Sequence, residues 1–115
     1  MQFAGLKEPL STALKTWIDM SRRKHSWPDE AEGNPQAYGA LALEVRGLQH
    51  AIDRQHPQEH VISELLDVIT VAMRMLNGEH LIGEQRNAWM DTLKKAKPTQ
   101  PGEVGPWDEH KGQKS

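Results

Sequence analysis

Residues 61–76, VISELLDVITVAMRML, constrain the fold more than any other segment of the chain. Their apolar residues recur with a helical period, between Pro57 on one side and Asn77-Gly78 on the other. A helix this apolar reads as buried and calls for other helices around it. It nevertheless carries two acids, Glu64 and Asp67, one turn apart on a shared face. Charge on a buried helix needs compensation. A metal ion, an arginine or bulk water could provide it, and which one does so decides what the protein does.

The rest of the chain supplies partner helices. Leu10, Ala13, Leu14, Trp17, Ile18 and Met20 form an amphipathic stripe over 9–24, with Pro9 suited to a first turn and Arg22-Arg23-Lys24 to a helix end. A loop, HSWPDEAEGNP, follows. Asn34 and Pro35 then open a second helix bearing Leu41, Val45, Leu48 and Ile52, expected to run to about His56 because Pro57 disfavours helical geometry before it. After the third helix, Asn77-Gly78 reads as a left-handed cap. A fourth helix is expected over 80–97, with Leu81, Ile82, Trp89 and Leu93 inward. The periodicity therefore predicts an all-α fold, a four-helix bundle over 1–97, followed by a disordered polar tail over 98–115. Trp107 is the tail's one large apolar residue, either an anchor or a stray.

The chain of 115 residues has room for one ordinary domain, and its net charge of −2 gives no basis for binding duplex nucleic acid or a membrane surface. No apolar run approaches the ~20 residues of a membrane-spanning helix. The absence of cysteine excludes disulfides and thiolate zinc sites, and a cytoplasmic location is the expectation. Hydrophobic residues make up 37%, a thin supply for a self-sufficient core, so completion as a homodimer or homotetramer is expected.

On a helical wheel Glu64 lies between Val71 and Met75 at the rim of the apolar arc, with Asp67 and His60 beside it. Glu44 holds the matching position on the second helix, between Leu48 and Ala51. If those helices pack face to face, Glu44, Glu64 and Asp67 meet across the seam. Three such acids would repel strongly without a cation. An all-oxygen donor set suits Mg²⁺ or Mn²⁺, and Mg²⁺ commonly adds substrate phosphates to its shell. The alternative is a set of ordinary ion pairs with Arg46, Arg74 or Arg86. His60 reads as a surface histidine, and Trp17 and Trp89 as core. Tyr38 could stack on a base or simply pack. Arg22 to His25 could receive phosphates or be a solvated helix end.

The order RRKHSW, then NPQAYGALALEVRGLQHAI, then HVISELLDVITVAMRML resembles the MazG-like all-α nucleoside triphosphate pyrophosphohydrolases, in particular their dCTP-pyrophosphatase-like branch. LEVRGL stands where the family's first acidic motif falls, ELLD matches its E-x-x-D motif, and WMDTLKKAKP is similar to its closing helix. The resemblance implies Mg²⁺-dependent cleavage of a nucleoside triphosphate to monophosphate and pyrophosphate. Glu44, Glu64 and Asp67 would be metal ligands, Trp27 would stack on the base, and Lys94 would keep a positive charge near the phosphates. The chain departs from the pattern at Gly47 (or Leu48), where a second glutamate is usual, and at Trp89 and Leu93, where lysine and asparagine are usual. Those departures leave a second expectation open, a non-catalytic scaffold that binds nucleotide or protein.

Overall fold

The computed structural model describes residues 5–28 and 34–98. They form four helices, α1 (Glu8–Lys24), α2 (Asn34–Asp53), α3 (Gln58–Leu76) and α4 (Gly83–Lys95), and among the described residues there is no strand. The fold is all-α, as expected. The tail beyond residue 98, with Trp107, and the loop interior at 29–33 lie outside the described residues. No described helix is long and apolar enough to cross a membrane.

Two helix ends differ from expectation for a shared reason. α2 stops at Asp53 rather than near His56. Gln55 takes a φ of +53°, so that its N–H meets the Ile52 carbonyl at 3.1 Å and the His56 N–H meets that of Ala51 at 2.9 Å. This left-handed closure satisfies the last carbonyls before Pro57 is reached. α3 closes the same way at Gly78, with φ +73°. There the Glu79 N–H returns to the Arg74 carbonyl at 3.1 Å. That turn fixes residues 77–80 outside any helix and delays α4 to Gly83.

α3 is the central rod, packed against α2 on one side and α1 on another. The short link of Arg54 to Pro57 makes α2 and α3 antiparallel neighbours. α1 runs parallel to α3, because Trp17 meets Asp67 while Ser21 and Arg22, further on, meet Arg74 and Glu79. The buried apolar set is small: Leu14 and Ile18 from α1, Ala37 and Ala51 from α2, Leu66, Val71 and Met75 from α3, and Leu81.

α4 buries no residue. It leans on the end of α3 through Trp89 Nε1, which donates to the Leu76 carbonyl at 3.1 Å, and through Arg86 Nε, which donates to that of Gly78 at 2.8 Å. Of the four residues expected to face inward, Leu81 is buried and Trp89 half-buried, whereas Ile82 and Leu93 are exposed. His80, 1% exposed, sits between the rings of Tyr38 and Trp89, and neither of its ring nitrogens has a hydrogen-bond partner.

The expectation that α3 is a buried helix fails on one side. Ile62, Leu65, Ile69 and Leu76 form an exposed stripe along it, and Tyr38, Val45 and Ile52 form a second along α2. In the antiparallel register that brings Gly47 to Glu64, Val45 lies within a turn of Ile69 and Ile52 within a turn of Ile62. Among the described residues Val45, Ile52, Ile62, Leu65 and Ile69 thus stay exposed, while Tyr38 packs on His80 and Leu76 lies beside Trp89.

Candidate metal centre and aromatic cleft

Glu44, Glu64 and Asp67 each offer a carboxylate oxygen, and these oxygens lie within 4.8 Å of one another. All three residues are half-buried, at the seam between α2 and α3 that helical spacing predicts. At that separation a pair of full charges repels by about 3 kcal/mol at an effective dielectric near ~20. The strain registers on Glu44. Burial raises its pKa above the ordinary glutamate value, and the charges of Asp67 and Glu64 and a hydrogen shared with Asp67 raise it further.

The expected alternative, arginine neutralisation, does not occur. Arg74 pairs with Glu79 at 2.9 Å, and Arg86 is committed to the Gly78 carbonyl. Among the described residues no lysine or arginine is ion-paired with any of the three acids. The His60 ring touches the group from outside, its Nε2 3.5 Å from Glu64 Oε1 and its side chain about half in solvent. The arrangement can hold a metal ion.

Gly47 explains how Glu64 enters this seam. A Cβ at position 47 would sit 2.6 Å from Glu64 Oε2. The missing side chain is the space the carboxylate occupies, which is why a poor helix former stands mid-helix. Any side chain at position 47 would displace the Glu64 carboxylate from the place it holds beside Glu44 and Asp67. Gly47→Ala should therefore gain up to ~1 kcal/mol of helix stability, while swinging the Glu64 carboxylate aside. The expected result is an unchanged or raised melting temperature without metal and a weakened response to Mg²⁺ or Mn²⁺. Paired thermal melts with and without metal check it.

Beside the acids a cleft of about 240 Å³ opens between α1, the loop after it, α2 and α3. α1 lines it with Trp17, Met20, Ser21 and Lys24, and the loop with His25 and Trp27. α2 lends Ala40 and Glu44, and α3 lends Asp67, Thr70 and Val71. The volume is below the ~300–1,000 Å³ of a drug-sized pocket. It suits one flat group with its remainder lying at the open acidic mouth.

Two walls of the cleft are held by residues whose roles the sequence did not reveal. Trp17, expected as core, donates its indole N–H to Asp67 Oδ1 at 3.0 Å and so fixes that carboxylate. A half-buried tryptophan needs an acceptor for its N–H, and that need was the available signal. Arg74, 2% exposed, carries the Trp27 ring 3.9 Å from its guanidinium carbon. It also donates to the Ser21 hydroxyl at 2.8 Å, to the His25 carbonyl at 2.9 Å and to Glu79. Glu79 further binds Arg22 at 2.6 Å and Asn77 at 3.0 Å. Although burial opposes it, this set of donors holds the Glu79 carboxyl down at about 2.

Of the predicted site residues, Glu44, Glu64, Asp67 and Trp27 come together. Lys94 does not join them. It lies on α4, 78% exposed, 3.7 Å from Asp91, and α4 lends nothing to the cleft. Tyr38 is on the opposite side of α2, against His80. Arg22 is taken by Glu79, leaving Lys24 and His25 of the basic run at the cleft.

Comparison with models of protein families, with curated proteins and with solved structures finds no match for this chain.

Proposed function

We propose that this chain is a MazG-like nucleotide pyrophosphohydrolase that cleaves a (d)NTP to (d)NMP and pyrophosphate with Mg²⁺ or Mn²⁺. One observation carries the reading: three half-buried carboxylates meet within 4.8 Å, with no lysine or arginine among the described residues paired to them, and two of them line a tryptophan-walled cleft. The donor set is all oxygen, as these ions require. A bound divalent ion would supply charge neutralisation and a grip on the phosphates.

The chain's own residues would do the rest. Glu44, Glu64 and Asp67 would hold the ion, with Asp67 kept in place by Trp17. Trp27, seated on Arg74, would stack on the base. Such a stack is worth ~1–3 kcal/mol in nucleic-acid complexes. Lys24, at the cleft rim, is the cation placed to meet phosphate oxygens.

A second reading has its own support. Lys94, the charge expected at the phosphates, is ion-paired on α4 away from the cleft. A site lacking it would bind metal and nucleotide without turning it over. Incubating the protein with each NTP and dNTP plus Mg²⁺ or Mn²⁺, and assaying pyrophosphate, separates the two. Calorimetry on the same panel then reports binding where turnover is absent. A chain that binds neither metal nor nucleotide is neither enzyme nor nucleotide scaffold.

The unpartnered face of α2 and α3 points to a second copy of the chain as its cover. A two-fold axis would set the exposed residues of one copy against the same residues of the other. Sedimentation at micromolar concentration should give a dimer or tetramer. A folded monomer would remove this part of the proposal.

A further inference from the structure

We infer that the Thr70 hydroxyl is the group that hydrogen-bonds the nucleoside part of the ligand, on the floor of the cleft between the acids and Trp27. The inference rests on the nucleotide reading above and adds a residue that decides which nucleoside fits.

Thr70 is 3% exposed, and its Oγ1 has no hydrogen-bond partner. Helical threonines commonly satisfy themselves on the carbonyl one turn back. Two others in this chain do so: Thr16 donates to Thr12 at 3.1 Å, and Thr92 to Ala88 at 3.0 Å. Both of those are exposed, where water would have served as well. Thr70, buried, makes no such bond, although it needs one most. The residue is part of the cleft wall, with the hydroxyl just beneath its surface.

Three other neutral polar groups around the cleft are committed. The Trp17 N–H is bound to Asp67, and the Ser21 hydroxyl and the His25 carbonyl are bound to Arg74. Thr70 is the buried one left for a ligand. Its place along α3 fits that role. Asp67 lies one turn before it at the metal end, and Arg74 one turn after it, under Trp27. A molecule reaching from the acids to the tryptophan passes over Thr70. A neutral hydroxyl at that point suits the amide, amine or hydroxyl of a nucleoside rather than a phosphate.

The test titrates the full chain by tryptophan fluorescence and calorimetry, comparing wild type with Thr70→Val, Thr70→Ser and Glu64→Gln. The probes are the common ribo- and deoxyribonucleosides without metal, and inorganic triphosphate with Mg²⁺. Thr70→Val is expected to melt at or above the wild-type temperature, because it removes an unpaired buried hydroxyl. It should weaken the preferred nucleoside by about tenfold, the worth of one good hydrogen bond, and leave Mg²⁺-triphosphate binding unchanged. Thr70→Ser should keep nucleoside affinity within about threefold, having kept the hydroxyl. Glu64→Gln should show the reverse pattern, losing triphosphate and keeping the nucleoside.

Equal nucleoside affinity in wild type and Thr70→Val would overturn the inference and assign the hydroxyl to an ordered water. So would a lowered melting temperature in Thr70→Val that Thr70→Ser restores, since that marks a structural hydroxyl. If Mg²⁺-triphosphate binds but no nucleoside does, the inference fails and the metal site stands. If triphosphate binding persists in Glu64→Gln, the metal reading fails while the Thr70 result stands on the nucleosides alone. If no probe binds, both fail.

Discussion

Replacing Arg74 with alanine should lower the unfolding free energy by about 3–5 kcal/mol, the range for removing one partner of a buried ion pair. The guanidinium is 2% exposed and joins four structural pieces: Glu79 in the turn after α3, Ser21 at the end of α1, the His25 carbonyl in the following loop, and the face of Trp27. Small domains are stable by only ~5–15 kcal/mol, and the apolar core here is thin, so the loss is a large fraction of the whole. Arg74→Lys should recover little of it, because one ammonium cannot reproduce a planar fork of donors. Urea denaturation followed by far-UV circular dichroism measures the loss, and Trp27 fluorescence reports release of the loop. A loss under about 1 kcal/mol, the scale of a surface pair, would show that the network is dispensable.

The same cluster sets the acid limit. Glu79 falls from an ordinary 4.5 to about 2 on folding, so the unfolded chain takes up a proton before the native one does. Its stabilisation is complete above about pH 4.5 and is lost as pH falls towards about 2. His80 acts earlier. Burial, with Arg86 nearby, lowers its pKa below the ordinary 6.5, so stability begins to decline as pH drops beneath that value. Arg74→Ala should flatten the lower of the two phases and leave the upper one, which a urea series across pH resolves.

Glu64→Gln and Asp67→Asn should each abolish metal-dependent turnover and remove the rise in melting temperature that Mg²⁺ or Mn²⁺ gives the wild type. A ligand at a hundred times its dissociation constant stabilises a fold by about 2.7 kcal/mol, so the wild-type response is measurable and its disappearance clear. Without metal the sign reverses. Each substitution deletes one of three mutually repelling charges, and the metal-free protein should melt at an equal or higher temperature. Chelation of wild type should reproduce the loss of activity while keeping the repulsion. A Glu64→Gln protein with full metal-dependent turnover would refute the assignment of the acids.

Much of the bundle was legible in the sequence. The start of α3 after Pro57 and the Asn77-Gly78 cap are local patterns, and local geometry obeys them; the α1 stripe is followed at Leu14 and Ile18 but not at Leu10 and Met20, which are exposed. The meeting of Glu44 with Glu64 and Asp67 was legible too, since it needs only two wheels and the assumption that neighbours pack face to face. What escaped depends on a third partner. Trp17 had a helix position but no visible acceptor, because Asp67 is fifty residues away in sequence. Thr70 looked like any helical threonine until its neighbours' bonds were known. Lys94 followed the resemblance, but residues 77–80 form a turn that sets α4 apart from the acids. Gln55 closes α2 before the proline does, and no residue preference announces a glutamine in a left-handed turn.

The parallel placement of α1 on α3 has a consequence for how the two halves of the cleft come into being. The acids sit on a hairpin joined by a short link, so the acidic half forms from chain that is already adjacent. The aromatic half waits for contacts 50 to 57 residues apart, and the entropy of closing so long a loop comes first. During folding, the chain should therefore hold its acids in place before it can grip anything flat. When it loosens, α1 should peel away first, with Trp17, and leave the hairpin standing.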